Sequence, residues 1–205
     1  MVAAPLQLHL AAQAPWDTPL AAALTARGFT VSAAPGEASE AAGAPVPDAL
    51  VYLAPRPDTD RVEDLTGFVT GGVTGFVAAA QVAARAMARE RRPGSLVVIC
   101  DIAGVPGRQG RAAEATLSGA LIGAVKCLAK ELGRSRIAVN AVCHGFVPEL
   151  GSSDRLSRAE QRLFDMMQLG REGTLQHVVE NVAHLARGRH LMTGQVLHVD
   201  HGLIM

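Results

Sequence analysis

The chain has 205 residues, of which 49% are hydrophobic and 19% are charged. Lys and Arg together number 19, as do Asp and Glu, so the formal net charge is zero. A neutral chain offers no global attraction for nucleic acid or an anionic membrane, and we expect neither as a partner. One hydrophobic core can serve this length, so we predict a single domain over 1–205.

The three cysteines, Cys100, Cys127 and Cys143, lie in apolar runs and form no CxxC pair. This pattern predicts buried reduced thiols rather than disulfides or a metal site. The amino-terminal residues lack a basic segment, and no uncharged apolar run is expected to reach membrane-spanning length. The sequence therefore predicts a cytoplasmic protein.

Strand and helix patterns alternate along the whole chain. The first part predicts a strand over 6–11, a helix over 18–28, a strand over 29–33 and a Pro-rich loop over 33–48. There follow a strand over 49–54, a helix over 61–92, a strand over 95–104 and a helix over 113–132. A strand over 136–147, a polar loop and helix over 150–187, and a strand over 194–200 complete the chain. This alternation predicts an α/β fold with a parallel sheet and helices on both faces.

Four segments resemble the short-chain dehydrogenase/reductase family, particularly its 3-oxoacyl-carrier-protein-reductase-like branch. They are GALIGAVKCLAKEL, RIAVNAVCHGFV, LGREGT and TGQVLHVDHGLIM, in that order. The resemblance covers 49–205 well and 6–31 weakly. It implies a Rossmann-like, doubly wound parallel sheet, shortened to about six strands.

The family binds its dinucleotide with a T-G-x-x-x-G-x-G loop after the first strand. The gapless match is LAAQAPWD, which puts Ala11, Pro15 and Asp17 at the glycine positions. Proline removes an amide donor and aspartate adds negative charge where phosphates would lie. The segment that walls the adenosine pocket is also shortened, and Tyr52 and Leu53 replace two asparagines of the next turn. We therefore expect no cofactor, with NAD(P) only under an alternative in which an aberrant site still works.

The resemblance also assigns the four catalytic positions. Glu114 stands at the Tyr position, Ser118 at the Lys position, Asp101 at the Ser position and Val73 at the Asn position. None of the four residue types that deliver the proton, bind the ribose or polarise the carbonyl is present. Since Asp101 and Glu114 are expected to converge, a carboxylate pair for non-redox chemistry stays open as an alternative.

Two histidine motifs have ordinary structural explanations. His198, Asp200 and His201 are metal-ligand types, but strand alternation separates them, and no metal is predicted. His144 stands where the family has the proline of a Pro-Gly turn, and we interpret it as a hydrogen-bonded loop residue rather than a base.

The segments that match best are the ones that form subunit interfaces in the family. They are the helix around 68–92, the helix around 112–132 and the final strand. Small residues such as Ala120 and Gly123 would let a second backbone approach. The leading hypothesis is a pseudoenzyme: a non-catalytic subunit of a hetero-oligomer with an active short-chain reductase in acyl or ketide metabolism, otherwise a homodimer or homotetramer. The alternatives are an NAD(P)-dependent 3-oxoacyl-type oxidoreductase and a non-redox enzyme using Asp101 and Glu114.

Overall fold

The computed structural model describes residues 5–12, 17–34, 46–57, 62–150, 158–166, 169, 173–188 and 191–204. The strands are β1 (Leu6–Ala11), β2 (Phe29–Ala33), β3 (Ala49–Leu53), β4 (Gly94–Asp101), β5 (Ile137–His144) and β6 (Val196–Val199). The helices are α1 (Asp17–Thr25), α2 (Val62–Arg89), α3 (Ala112–Leu132), α4 (Arg158–Asp165) and α5 (Leu175–Ala186). Within these residues every predicted strand and helix is present.

All six strands are parallel and lie in one sheet of order β2-β1-β3-β4-β5-β6. The chain moves outward from β1 to β2 and then crosses back to place β3 on the other side of β1. The strand order therefore reverses between β1 and β3, where nucleotide-binding sheets open a crevice at their carboxyl edge. The predicted doubly wound sheet of about six strands is confirmed.

Helices cover both faces of the sheet. Successive residues of the buried strands point to opposite faces and are apolar on both, so both faces need a covering layer. One face packs against α1 and α5 through residues such as Leu20, Leu24 and Val178. The other packs against α2 and α3 through Phe76, Leu117 and other large side chains. Each helix buries only one side, so the outward sides of α2 and α3 remain available.

The side chain of Asn140 holds the last strand in place. Its hydrogen bonds give a structural reason for the family resemblance of the segment TGQVLHVDHGLIM. Its buried amide donates to the Met192 carbonyl at 3.0 Å, and its carbonyl oxygen accepts from the Gln195 amide at 3.0 Å. The Thr193 hydroxyl accepts from the Val139 amide at 3.1 Å. These bonds satisfy buried polar groups and hold the turn before β6 against β5.

Three sequence predictions need correction. The strand predicted over 95–104 ends at Asp101, because its side chain caps a 3₁₀ turn over Ile102–Gly104. The region predicted as one loop and helix holds two helices, α4 and α5. Cys127 is exposed, whereas Cys100 and Cys143 are buried as predicted. Residues 35–45 of the predicted loop lie outside the described part.

The prediction that no run reaches membrane-spanning length is also wrong. The stretches Asp64–Arg89 and Ala112–Ser135 are long and apolar enough to cross a membrane by length and composition alone. Both pack one side against the sheet, with Phe76 and Leu117 buried there. Core helices of soluble proteins share these properties, so the two helices are weak evidence for a membrane.

The crossing of α2 over α3 yields a stability prediction. A Cβ at Gly72 would lie 2.6 Å from Cδ1 of the buried Leu117, whereas one at Gly71 would meet nothing within 4 Å. Gly72→Ala should lower the free energy of unfolding by about 1–3 kcal/mol through overpacking. Gly71→Ala should raise it by roughly 0.5–1 kcal/mol, because alanine favours a helix. Urea unfolding of both variants checks this, and equal effects would contradict the close helix crossing.

Candidate active site at the carboxyl edge of the sheet

The carboxyl ends of β4 and β5 place two polar side chains next to each other. β4 ends at Asp101 and β5 at His144, and these residues are direct partners in the parallel register. Helix α3 begins beside them and carries Glu114 in its first turn. The structure thus brings the predicted positions Asp101, Glu114 and Ser118 to one edge, as expected for parallel strands and the following helix.

The Asp101 side chain stabilises the backbone turn that follows β4. Its Oδ1 accepts from the Ala103 amide at 2.7 Å and lies 3.9 Å from Nη1 of Arg108. The Asp101 amide in turn donates to Oγ of Ser118 at 3.2 Å. Asp101 and Ser118 therefore hold the strand end and the 3₁₀ turn against α3, which is a structural role.

Glu114 is buried with a single charged partner. Its side chain is 5% exposed, and Oε1 lies 2.9 Å from Nη1 of Arg111. The other oxygen, Oε2, is buried and makes no hydrogen bond in the part of the chain that the structure describes. No hydrogen bond joins Glu114 to Asp101 among the described residues, because each carboxylate faces a different arginine. A proton-sharing pair of the two is therefore not formed.

Three arginines surround these acids, and they were not among the predicted site residues. The side chain of Arg108 is 6% exposed, and its guanidinium lies 4.4 Å from the centre of the Phe146 ring. Arg56 crosses from the loop after β3 and donates to the Leu150 carbonyl at 3.2 Å. The sequence carried one signal that could have predicted them: Arg56, Arg108 and Arg111 all follow the carboxyl ends of buried strands.

Burial and neighbouring charges perturb two of the edge groups. Burial lowers the pKa of Arg56, as do the guanidinium groups of Arg111 and Arg108, while Asp101 and Glu114 oppose the shift. Burial also lowers the pKa of His144, whose Nδ1 lies 3.1 Å from the Gly145 carbonyl. His144 is therefore a neutral, hydrogen-bonded residue at pH 7, consistent with the interpretation from the sequence.

Tyr52 and Val73 stand at positions where the family has asparagines, and both belong to the apolar interior. The Tyr52 hydroxyl donates to the Gly72 carbonyl at 2.7 Å, and its ring packs 5.4 Å from that of Phe76. Burial raises the pKa of Tyr52 to about 12. Val73 is partly buried in the same cluster. Both side chains fasten α2 to the sheet.

The predicted cofactor loop is only partly described. Ala11 ends β1 and pairs with Tyr52 across the parallel ladder. Asp17 begins α1, but its side chain and the whole of Pro15 lie outside the described residues. The ends of β1 and β3 carry the small residues Ala11 and Ala54, which are partly buried against the hydrophobic core beside the strand-order reversal.

The residues considered as metal ligands have other roles. Asp200 accepts from the Gly202 and Ile204 amides at 3.1 and 2.9 Å, His198 is exposed, and His201 packs edge-on against His177. Across the described ranges, no group of three or more His, Cys, Asp or Glu side chains is placed to hold a metal ion.

Comparison with protein families identifies the chain. A family model described as enoyl-(acyl carrier protein) reductase matches residues 58–204, which is most of the chain. The chain belongs to the short-chain dehydrogenase/reductase family. Within it, the similarity is to the 3-oxoacyl-acyl-carrier-protein-reductase-like branch, as the four quoted segments predicted.

The curated relatives align with only part of this chain. The 3-oxoacyl-[acyl-carrier-protein] reductase FabG of Thermotoga maritima is 32% identical over 117 residues, which is 57% of this chain and 48% of the relative. The human 3-oxoacyl-[acyl-carrier-protein] reductase is 35% identical over 114 residues, which is 56% of this chain and 46% of the relative. The chain thus spans about half the length of the curated relatives it matches.

Solved structures share the fold over nearly the whole chain. A gluconate 5-dehydrogenase from Burkholderia cenocepacia, in complex with NADP and tartrate, superposes with a TM-score of 0.79 at 19% identity. The alignment covers 97% of this chain and 94% of the other. A putative betaketoacyl-ACP reductase gives a TM-score of 0.75 at 21% identity, covering 96% and 97% of the two chains.

These comparisons overturn the expectation that no cofactor binds. The curated relatives are reductases of this family, and a dehydrogenase with the same fold holds NADP, which together point to a nicotinamide cofactor. The expectation was wrong because it rested on local departures from the family pattern: the three glycine positions, the shortened segment of the adenosine pocket, and Tyr52 and Leu53 in the next turn. A crevice of this kind arises from the strand order, and the chain retains that order.

The Arg111–Glu114 pair yields a prediction about this edge. Arg111→Ala leaves a buried carboxylate without its cation, so the free energy of unfolding should fall by about 2–3 kcal/mol. Adding Glu114→Gln to that variant removes the unpaired charge and should restore most of the loss. Urea unfolding at pH 7 measures both. If the double variant is no more stable than Arg111→Ala alone, Arg111 stabilises the fold through contacts other than this ion pair.

Proposed function

We propose that this chain is a non-catalytic member of its family that pairs with an active short-chain reductase acting on acyl or ketide thioesters in the cytoplasm. The observation that carries the proposal is the Arg111–Glu114 ion pair at the position of the family's proton donor. Both the activity of the relatives and their substrates belong to longer chains, so they enter here as part of the proposal.

The residues at the family's proton-donor and lysine positions do not supply the proton that carbonyl reduction needs. Negative charge that develops on the substrate oxygen must meet a proton or a hydrogen-bond donor. A Glu114 carboxylate paired with Arg111 has no proton to give, and the Ser118 hydroxyl brings no positive charge. A bound nicotinamide would supply hydride, but these side chains would not deliver the matching proton.

The outward faces of α2 and α3 favour a partner subunit. The exposed residues are small and uncharged over the first turns: Thr66, Thr70 and Thr74 on α2, and Thr116, Ala120 and Gly123 on α3, before the exposed Lys126. The hydroxyls of Thr74 and Thr116 donate to carbonyls of their own helices, each at 2.7 Å. Their methyl groups therefore face outward, and a partner could bury these threonines without leaving a polar group unsatisfied.

A working NAD(P)-dependent 3-oxoacyl-type reductase is the second candidate. It is favoured by the reversal of strand order between β1 and β3 and by the reductase names of the relatives. The carboxylate-pair alternative has no comparable support, because Asp101 and Glu114 face separate arginines.

Cofactor titration separates the two candidates. We expect the full chain to bind NADPH or NADH, measured by nucleotide fluorescence, yet to oxidise neither when a 3-oxoacyl thioester is added. An active 3-oxoacyl reductase, assayed in parallel, controls for substrate quality. Thioester-dependent NADPH oxidation above the protein-free rate would establish the second candidate instead.

The pairing surface has a matched test. Ala120 is exposed on the outward face of α3, and Ala22 is exposed on α1, which packs on the opposite face of the sheet. Ala120→Arg should abolish co-purification with a co-expressed active family member from the same genome, whereas Ala22→Arg should leave it intact. If the wild-type chain forms only homodimers under co-expression, the hetero-oligomer hypothesis is wrong. If the two variants co-purify equally well, the outward face of α3 is not the pairing surface.

A further inference from the structure

A cleft lies at the edge of the sheet opposite the candidate active site. Its volume is about 510 Å³, and the first residues of three strands contribute to its lining: Leu6 of β1, Gly94 of β4 and Ile137 of β5. Because these residues begin their strands, the cleft opens at the amino edge of the sheet. Its described lining includes none of the residues at the family's catalytic or cofactor positions, so the candidate active site does not account for it.

Two arginines line this cleft without a carboxylate partner. The Arg136 guanidinium donates to the Arg91 carbonyl at 3.0 Å. Arg187 donates to the Ala183 and Arg27 carbonyls at 3.3 and 2.8 Å. Among the described residues, no carboxylate oxygen lies within 4.0 Å of either guanidinium. A guanidinium has five N–H donors, so each arginine keeps donors that an oxyanion can accept.

The acid in the lining is already neutralised. Asp48 accepts from Nη2 of Arg92 through Oδ1 at 2.6 Å and from the Gln7 amide through Oδ2 at 2.8 Å. Both of its oxygens are therefore engaged, and an arginine outside the lining balances its charge. The undescribed residues that adjoin the lining in sequence, Arg189 and His190, add no negative charge. The positive charge of the two lining arginines thus favours a carboxylate or phosphate ligand.

Apolar side chains share the lining with the two guanidinium groups. Leu6 and Met192 are partly buried against the core, whereas Leu191 is fully exposed. A leucine that is exposed beside a cleft gains free energy when a ligand covers it. The cleft therefore combines two cations with an accessible apolar surface.

We propose that this amino-edge cleft binds a small amphiphilic oxyanion. Its carboxylate or phosphate contacts Arg136 and Arg187, and its short alkyl chain covers Leu191 and Met192. Arg187 is held in place before binding, since its guanidinium also lies 5.2 Å from the centre of the Phe29 ring. A guanidinium that is already held loses little conformational entropy when a ligand arrives. The site is independent of the proposed function, because it includes neither the proton-donor position nor the outward faces of α2 and α3.

Octanoate, butyrate and 1-octanol separate the contribution of the charge from that of the alkyl chain. In calorimetric titration of the full chain, octanoate should bind about tenfold more tightly than butyrate, because its four further methylene groups are partly buried. Octanol should bind about tenfold more weakly than octanoate, because it lacks the charge. Octyl phosphate, titrated in parallel, shows which of the two head groups the arginines prefer.

Three variants assign these effects to the cleft. Arg136→Gln should weaken octanoate and butyrate alike, by about tenfold, whereas Leu191→Ser should weaken octanoate alone. Arg134→Gln is the matched control, since Arg134 is exposed two residues away and does not line the cleft. NADPH binding and co-purification with the active reductase should be unchanged in all three variants. Failure of this site is thereby distinguished from failure of the proposed function.

Several results would overturn the amphiphile site. They are equal affinities for octanoate and octanol, no heat from octanoate at millimolar concentration, and equal losses in Arg136→Gln and Arg134→Gln. If Leu191→Ser changes the oligomeric state, measured by light scattering, and leaves octanoate binding unchanged, Leu191 is a subunit contact and the proposed alkyl-chain contact is wrong.

Discussion

Two acidic side chains at the carboxyl edge of the sheet need cations, and the local structure is organised around that need. Asp101 is 15% exposed and Glu114 5% exposed in their side chains, so water screens neither charge well. The loop between β4 and α3 supplies Arg108 and Arg111. Gly107 and Gly110 flank Arg108 with φ values of 75° and 73°, a conformation that glycine adopts without strain. These turns allow Arg108 to fold inward while its neighbours stay exposed.

The same ion pairs account for what the edge has lost and what the rest of the chain has kept. Once Arg111 holds Glu114 and Ser118 receives the Asp101 amide, the start of α3 is a packed structural element. The later turns of α3 still bury Leu121 and Val125 against the sheet and still present small residues outward. Packing of α3 on the sheet thus depends on residues other than those at the family's catalytic positions.

The sequence predicted the sheet and its helices well because buried parallel strands and amphipathic helices leave regular apolar patterns. It predicted the arrangement of the edge less well. Asp101 and Glu114 were expected to face each other, but strand and helix positions do not predict which arginine of the loop between β4 and α3 turns inward. Both pairs are local in the chain, Asp101 with Arg108 and Glu114 with Arg111 at i,i+3 spacing, but the side-chain contacts that select them leave no periodic signal.

The cofactor expectation failed for a related reason, and its failure narrows the function. A glycine loop reports how closely a phosphate can approach one turn, whereas the crevice depends on the reversal of strand order between β1 and β3. A chain without those glycines can therefore keep the strand order at which nucleotides bind in this fold. Binding and turnover are separable properties of this fold, since the strand order supports one and four side chains at a neighbouring edge support the other. Under the proposed function, this chain keeps the strand order that supports binding without the proton donor that supports turnover, which suits a partner subunit better than a reductase.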